Sequence, residues 1–248
     1  MTGGRGARLA AHLLVASAVG LGATSLSAFA LFLFVGSYQA IDLGLTPGEA
    51  LFWDGLLSLL FFVQHSGMVR ESFRRGLGRW LPAEYHAAVY SAVSGLVLLL
   101  VLGLWQTSGP PLLRLEGLPR LLAQAVFLLS LLGFGWGVRS LGSFDAFGRG
   151  PVRDRLRGVI REDSPLAVRG PYRLVRHPLY TFTLGLIWSC PTVTADRLLL
   201  DLLWSGWIVV GCRLEERDLT ARFGEGYRSY QRNVPMLVPR LVPRRRSG

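Results

Sequence analysis

Hydrophobic residues in this 248-residue chain are gathered into long uncharged runs, and shorter polar segments separate them. The runs occupy about residues 9–36, 49–69, 86–106, 118–138 and 178–212. A membrane-spanning helix needs about 20 apolar residues, and the last run is long enough for two passes with a turn near Pro191. The first run is too long for a signal peptide and lacks a small-residue cleavage site. The pattern predicts an all-α, polytopic membrane protein with five or six transmembrane helices.

Positive charge is concentrated in some of the segments between these runs. The formal net charge is +11, and all 27 basic residues are arginines. Because the chain has no lysine, chemistry that needs a Schiff base or a lysine general base is excluded. Arginines cluster at both termini, after the second run and throughout 139–177, whereas 37–48 contains none and 107–117 contains only Arg114. The positive-inside rule therefore predicts that both termini and the 139–177 segment are cytoplasmic.

The charge does not indicate a nucleic-acid partner, because no aromatic platform or known nucleic-acid-binding module accompanies it. Cys190 and Cys212 both fall within predicted spans and are expected to be buried small hydrophobic residues. No metal-binding motif occurs, so no metal is expected.

The two parts of the chain differ in character. Residues 1–138 are predicted to form a scaffold of four spans, and residues 139–248 are predicted to carry the chemistry. The polar stretch 139–177 is expected to be a long loop without regular structure, which is typically functional or disordered. After the last run, the spacing of charges in "RLEERDLTARF" favours a helix, and a basic, extended tail follows from "VPMLVP" to the C-terminus.

A cluster of arginines, tyrosines and prolines, "RGPYRLVRHPLYTF", spans residues 169–182. Pro178 fits the first position of a helix, and it should push His177 away from helical geometry. The start of this helix, beside Arg173 and Arg176, would favour an anion. An alternative is that the cluster binds only lipid phosphate.

Carboxylates and aromatic rings follow later in the chain. Ile208, Cys212 and Glu215 share one helical face, so Glu215 is predicted to point towards the interior. Glu215 or Glu216 could accept hydrogen bonds from an ammonium group or from ribose hydroxyls, although both could simply pair with local arginines. Flat surfaces suited to an adenine or a sulfonium are offered by Tyr172, Tyr180, Tyr227 and Tyr230. These groups together match a charged cofactor that carries a carboxylate, an ammonium and an adenosine.

Polar residues also interrupt the second hydrophobic run. Asp54 lies near its outer end, and Gln64, His65 and Ser66 lie near its cytoplasmic end. Polar groups at membrane depth are costly and often functional. The alternative is that Gln64 and His65 only form hydrogen bonds with a neighbouring helix.

The C-terminal motifs resemble a known family. "GPYRLVRHPLY", followed about 35 residues later by "EERDLTARFGEGYRSYQRNVP", resembles the isoprenylcysteine carboxyl methyltransferase superfamily of integral membrane methyltransferases, whose motifs are RHPxY, EExxL and FGxxYxxYxxxVP. Within it, "QHSGMVR", "FDAFG", "WSCPTVT" and "VPMLVP" resemble the bacterial methanethiol S-methyltransferases.

This resemblance implies an S-adenosylmethionine-dependent methyl transfer to a small thiol, methanethiol-like and giving dimethyl sulfide, in the bacterial inner membrane. The implied cofactor-binding residues are Tyr172, Arg176, His177, Pro178, Tyr180, Glu215, Glu216, Tyr227 and Tyr230. The implied catalytic residues are Arg176, His65, His177 and Glu216, with either histidine as proton acceptor. The implied substrate-binding residues are Gln64, His65 and Trp188.

Some positions depart from the family pattern, so other functions stay open. The glycine expected soon after the RHPxY tyrosine is delayed to Gly185, a methionine is replaced by Val193, and "RGPVRD" replaces a glutamine-containing loop. One alternative is methyl esterification of a prenylated cysteine or another lipophilic carboxylate. A second is reduction of a sterol-like substrate by a reduced nicotinamide dinucleotide, and a third is a non-enzymatic accessory or transport protein in the membrane.

Overall fold

The computed structural model describes residues 3–142, 145–159 and 166–240, which are mostly α-helical. The helices are α1 Gly3–Val35, α2 Pro47–Met68, α3 Glu71–Leu77, α4 His86–Leu104, α5 Gly117–Leu141, α6 Arg149–Arg157, α7 Pro178–Trp188, α8 Ala195–Phe223 and α9 Glu225–Asn233. Short 3₁₀ turns occupy Ala83–Tyr85 and Gly170–Arg173. Two short strands, β1 Leu113–Arg114 and β2 Thr192–Val193, pair antiparallel.

The first four hydrophobic runs coincide with α1, α2, α4 and α5, as predicted. Among the described residues, three segments are long and apolar enough to cross a membrane: Gly6–Val35, Ala83–Leu104 and Gly117–Leu141. Helix α2 also has sufficient length, with 22 residues, but polar side chains interrupt it. The chain is therefore an all-α membrane protein, and the number of five or six spans stays a prediction.

The last hydrophobic run is divided into two helices by a turn at Pro191, where the turn was expected. Helix α7 has only 11 residues. At 1.5 Å per residue it is about 16 Å long, roughly half of the ~30 Å hydrocarbon core of a bilayer. It is therefore too short to cross a membrane as a single straight span.

The polar stretch 139–177 contains helix α6, so the expectation that it lacks regular structure was wrong for this part. Gly148 and Gly158 flank α6 with left-handed φ values of 65° and 69°. The carboxylate of Asp145 accepts hydrogen bonds from the backbone N–H groups of Phe147 and Gly150 at the start of the helix. Phe144 of the "FDAFG" motif, residues 160–165 and the tail 241–248 lie outside the described residues.

The chain forms two compact units. Of the described residues, the first unit contains 3–115, 145–159 and 192–203, and the second contains 116–142, 166–191 and 204–240. The predicted division into a scaffold, 1–138, and a chemical part, 139–248, concerns function and stays a prediction.

In the first unit, α1 and α2 both pack against α4. Helices α1 and α4 approach closely at Gly95, where a Cβ atom would lie only 2.8 Å from the backbone carbonyl of Leu21. Ala11, Ala18, Ala88 and Val152 form a buried cluster between α1, α4 and α6. Small residues thus let these helices pack backbone against backbone, as is typical of membrane helices.

The segments that connect the helices of the first unit are joined by buried polar side chains. The side chain of Gln106 accepts a hydrogen bond from Leu43 N–H and donates one to the carbonyl of Ile41. The backbone N–H of Gln106 donates to Asp54, and Asp196 accepts from both the N–H and the hydroxyl of Ser108. These bonds fix the segments that precede α2, follow α4 and precede α8.

In the second unit, α5 packs along α7. The ring of Phe182 fits against Gly133, where a Cβ atom would lie 2.2 Å from a ring carbon. The guanidinium of Arg169 donates to the carbonyls of Ser140 and Leu141 at the end of α5. These contacts place the 3₁₀ turn and the start of α7 beside the last turn of α5.

Candidate functional site

The start of α7 has the geometry that the RHP motif predicted. Pro178 is the first helical residue, and His177 before it has non-helical angles, with φ −122° and ψ 64°. The backbone N–H of Arg176 donates to the carbonyl of Pro235 at 2.8 Å, and that of His177 donates to the carbonyl of Met236 at 3.1 Å. The beginning of the predicted tail is therefore held against the start of α7 by backbone hydrogen bonds.

Arg176 connects three parts of the second unit. Its Nε donates to Oε1 of Glu216 on α8 at 2.6 Å. Its Nη1 donates to the carbonyl of Gln231 on α9 at 3.1 Å and to the carbonyl of Val234. The side chains of Arg176 and Glu216 are only 10% and 13% exposed, so the ion pair is largely shielded from water.

The carboxylate of Glu216 has further partners. Its Oε1 lies 3.2 Å from Nε2 of His177, and its Oε2 accepts a hydrogen bond of 3.1 Å from the side-chain amide of Gln231. Burial acts to raise the pKa of Glu216, but hydrogen bonds and charges from Arg176, Gln231 and His177 outweigh it, and the pKa is below its ordinary value. Glu216 is thus held as a carboxylate that joins α7, α8 and α9.

Glu215, which was predicted to point inward, is instead the more exposed of the two glutamates. Its side chain is 47% exposed, and its Oε2 lies 3.6 Å from Nδ1 of His177. The buried face of α8 follows Ile208, Cys212 and Glu216 at intervals of four residues, so Glu216 occupies the inner position. The ring of buried His177 consequently has a carboxylate near each nitrogen, with one carboxylate shielded and one reaching solvent.

The tyrosines of α9 share one buried face, as the sequence predicted. The rings of Tyr227 and Tyr230 meet edge to face, 5.8 Å apart. The hydroxyl of Tyr230 donates to the carbonyl of Tyr172, and burial raises the pKa of Tyr230 to about 12. The hydroxyl of Tyr227 is buried and has no hydrogen-bond partner among the described residues. A buried donor without a partner is uncommon and calls for an explanation.

An open pocket with a volume of ≈ 580 Å³ lies between the C-terminal part of α8 and α9. Its lining combines the carboxylate of Glu216 with three guanidinium groups and small or polar side chains: Arg213, Glu216, Arg217, Thr220, Ala221, Arg228 and Gln231. The arginines give this pocket a positive character, although Glu216 lies within it.

The residues that the sequence predicted to bind the substrate are divided between the two units. Gln64 and His65 belong to the first unit, where they contact Ser94 and Tyr90 of α4. Both side chains thus form hydrogen bonds with a neighbouring helix, and their role in substrate binding stays a prediction. Trp188 belongs to the second unit; it is half-exposed, and its indole N–H donates to the hydroxyl of Ser205 on α8.

Comparison with characterised proteins identifies relatives over most of the chain. It is 38% identical over 221 residues to Methanethiol S-methyltransferase 2 of Bradyrhizobium diazoefficiens, and the match covers 86% of this chain and 85% of that protein. It is also 38% identical over 207 residues to Methanethiol S-methyltransferase of Pseudomonas sp. (strain GM41(2012)), a match covering 79% of this chain and 76% of that protein. The chain belongs to the methanethiol S-methyltransferase family.

Membership in the methanethiol S-methyltransferase family confirms the resemblance drawn from the RHPLY and LEERDL motifs. A more distant relative, Nurim of Mus musculus, is 30% identical over 179 residues, or 68% of each chain. No family model matches the chain, and no solved structure matches it. The family implies a methyl donor.

Several residues near the candidate site were missed in the sequence. The arginines of the pocket include Arg213 and Arg217, whose spacing of four residues on the same helix as Glu216 would have indicated a shared face. Gln231 and the carbonyls of Pro235 and Met236 carried no such signal, because their roles depend on how α9 and the tail pack. Tyr90 also carried no signal, because its position opposite His65 depends on how α2 and α4 are aligned.

Proposed function

We propose that this protein is an S-adenosylmethionine-dependent S-methyltransferase that methylates a small thiol such as methanethiol. The proposal rests on membership in the methanethiol S-methyltransferase family. The observation that carries the choice of site is the ion pair of Arg176 and Glu216, which brings the RHP helix start and the paired glutamates together. The donor site is therefore assigned to the second unit.

The chemistry of the second unit fits the parts of such a donor. The arginines of the α8–α9 pocket would bind its carboxylate, because a guanidinium matches a carboxylate in shape and charge. Glu215, half-exposed beside His177, would accept from the ammonium group or the ribose hydroxyls. Tyr227 would gain the hydrogen-bond partner that its buried hydroxyl lacks among the described residues.

The contacts of Arg176 and Glu216 favour a positioning role for both. Glu216 already has Arg176, His177 and Gln231 as partners, so it would hold the donor-binding helices in place. Pro178 sets the start of α7, while Tyr172, Tyr180 and Tyr230 supply the aromatic surfaces. Direct contacts to the donor are then expected from Glu215, His177 and Tyr227.

For this reaction the protein must hold a thiolate in line with the methyl group of the donor. The bound donor supplies an electrophilic methyl group on a sulfonium. A cysteine-like thiol has a pKa of about 8.5, and nearby positive charge lowers it. His65 or His177 would accept the proton of the thiol.

The test is an assay of the purified protein with methyl-labelled S-adenosylmethionine and matched panels of small thiols and carboxylates. The proposal predicts a labelled thioether that survives alkali. A labelled product that alkali hydrolyses would instead indicate a carboxylate acceptor. If the protein binds the donor but labels no thiol, thiol methylation is contradicted; if it binds a reduced nicotinamide dinucleotide in place of the donor, methyl transfer itself is contradicted.

A further inference from the structure

A short helical segment with exposed apolar and basic side chains separates α2 from α4 in the first unit. Helix α3 is followed by a turn in which the backbone N–H of Trp80 donates to the carbonyl of Leu77 at 3.0 Å. The backbone leaves helical geometry at Arg70, with ψ 142°, and at Pro82, with ψ 144°. Residues 71–81, the α3 segment, are therefore a separate element between the two longer helices.

The apolar residues of the α3 segment are spaced to share one face. Phe73, Leu77 and Trp80 follow one another at intervals of four and three residues, which is the spacing of neighbours on a helix. Trp80 is 89% exposed, the largest exposed fraction among the large hydrophobic side chains of the described residues, and Phe73 is 43% exposed. Because a tryptophan carries a large apolar surface, leaving it in water is unfavourable, and we expect a partner to cover this face.

Arginines occupy the remaining surface of the α3 segment. Arg74, Arg75 and Arg79 are exposed and lie outside the apolar stripe. With Glu71 as the acidic residue of the segment, three arginines and one glutamate give it a net charge of +2. Glu71 lies 3.8 Å from Arg75, one turn away, and Glu84 in the following 3₁₀ turn accepts a hydrogen bond of 2.8 Å from an arginine of α6. The partner that covers the segment should therefore be anionic as well as apolar.

The position of the α3 segment in the chain corresponds to a boundary of the membrane. Helix α2 ends at Met68, shortly before the segment, and the candidate span that contains α4 begins at Ala83, three residues after Trp80. Nε2 of buried His86 lies 3.0 Å from the carbonyl of Leu81 and joins the end of the segment to the start of α4. Tryptophan is enriched at the level of the lipid headgroups, where its ring contacts hydrocarbon and its N–H reaches water.

We propose that the α3 segment lies along the membrane surface and binds anionic phospholipids. Phe73, Leu77 and Trp80 contact the acyl chains, while Arg74 and Arg79 bind the phosphate groups, which a guanidinium matches in shape and charge. Aromatic residues on one face and arginines on the other are typical of helices bound at a membrane surface. A soluble anion would leave the apolar stripe in water, so a lipid fits both faces better. This inference is independent of the proposed methyl transfer.

The depth of the two faces in a bilayer tests the proposal. Cys190 and Cys212 are buried, so a thiol-reactive spin label attaches to the exposed cysteine introduced by Phe73→Cys or by Ser72→Cys, the matched variant on the polar side. The full-length protein is reconstituted into vesicles of equal parts phosphatidylcholine and phosphatidylglycerol. We expect the label at 73 to collide mainly with oxygen, which concentrates in hydrocarbon, and the label at 72 mainly with a water-soluble nickel complex. Equal access of the nickel complex to both labels would overturn the proposal.

A second measurement tests the recognition of anionic headgroups. Quenching of a fluorophore attached at Phe73→Cys by acyl-brominated phosphatidylglycerol or phosphatidylcholine gives the relative affinity of the two lipids at the segment. Phosphatidylglycerol should be preferred, and high salt should abolish the preference, because exposed charges are screened. Arg79→Gln should lower the preference about fivefold. Arg114→Gln, the same loss of charge beyond the other end of α4, should leave it unchanged. Equal quenching by both lipids, or equal effects of the two arginine variants, would contradict the assigned headgroup.

The apolar stripe is tested by Trp80→Ala. Because Trp80 is almost fully exposed, Tm in detergent should not change, whereas the label at 73 should become more accessible to the nickel complex. An unchanged depth of the label would show that Trp80 does not anchor the segment. If the label at 73 is shielded from both oxygen and the nickel complex, a protein surface covers the stripe, and the assignment to lipid is wrong.

Discussion

Arg176 and Glu216, forty residues apart in the chain, are joined by a hydrogen bond of 2.6 Å from Nε to Oε1. The pair connects the start of α7 with the C-terminal part of α8, and further bonds from both side chains extend to α9. Both side chains are shielded from water, and each neutralises the charge of the other, which would otherwise be costly to bury. The pair is therefore the centre of the candidate donor site.

Replacement of the inner glutamate tests this central position. Glu216→Gln would leave the charge of Arg176 without its partner, and we expect the protein to lose roughly 3 kcal/mol of stability. The measurement is the Tm of the purified protein in detergent. The matched variant Glu215→Gln alters the more exposed neighbour and should leave Tm nearly unchanged while weakening donor binding. Equal losses of Tm in both variants would contradict the assigned roles.

Replacement of the arginine tests the shape of its side chain. Arg176→Lys keeps the positive charge, but a single ammonium cannot reach Glu216 and the carbonyls of Gln231 and Val234 together. We expect the segment after α9 to become more susceptible to limited proteolysis and donor affinity to fall about tenfold. Arg232→Lys, at an exposed pair with Glu225 on α9, is the control. If Arg176→Lys is cleaved no faster than the unaltered protein, the several donor groups of the guanidinium are not needed to hold this segment.

The pH dependence of stability tests whether Glu216 is ionised and paired in the folded protein, and this measurement needs no methyl donor. The folded-state pKa of Glu216 is lower than its ordinary value of 4.5. The stabilisation is therefore fully present above pH 4.5, and it is lost as pH falls through the lower, folded-state pKa. Tm measured at decreasing pH should fall in this acidic range, and Glu216→Gln should remove part of that fall. An identical acid profile in the variant would argue against an ionised, paired Glu216.

The same substitution is expected to have different effects at the two tyrosines of α9. Tyr227→Phe removes a buried hydroxyl that lacks a partner among the described residues, so Tm without donor should not fall. Donor affinity should fall about tenfold, because the proposed hydrogen bond to the donor is lost. Tyr230→Phe removes the hydrogen bond to the carbonyl of Tyr172. It should lower the free energy of unfolding by about 1 kcal/mol and lower Tm accordingly. A destabilised Tyr227→Phe with unchanged donor affinity would contradict the proposal.

The features that the sequence predicted well are those encoded by local periodicity and composition. Long apolar runs indicated the helices now seen as α1, α2, α4 and α5, because a continuous hydrophobic segment is sufficient evidence of a membrane helix. Proline at position 178 indicated the start of α7 through its fixed backbone angle. The tyrosine spacing in α9 likewise indicated the shared face of Tyr227 and Tyr230.

Features that depend on packing between distant segments could not be predicted in the same way. The choice between Glu215 and Glu216 turns on a rotation of one residue about α8, which the apolar pattern of the preceding turns did not fix. The backbone bonds from Pro235 and Met236 carry no side-chain signal at all. Helix α6 was not predicted within the expected loop, because the left-handed angles of Gly148 and Gly158 and the hydrogen bond from Gly150 N–H to Asp145 are seen only in the structure.

The account depends above all on donor binding in the second unit. Calorimetric titration of S-adenosylhomocysteine into the detergent-solubilised protein measures this binding directly, with Glu215→Gln and Tyr227→Phe as folded variants. We predict saturable binding at one site, weakened about tenfold in each variant with Tm retained. Absence of binding to the unaltered protein, or equal binding by all three proteins, would contradict the account.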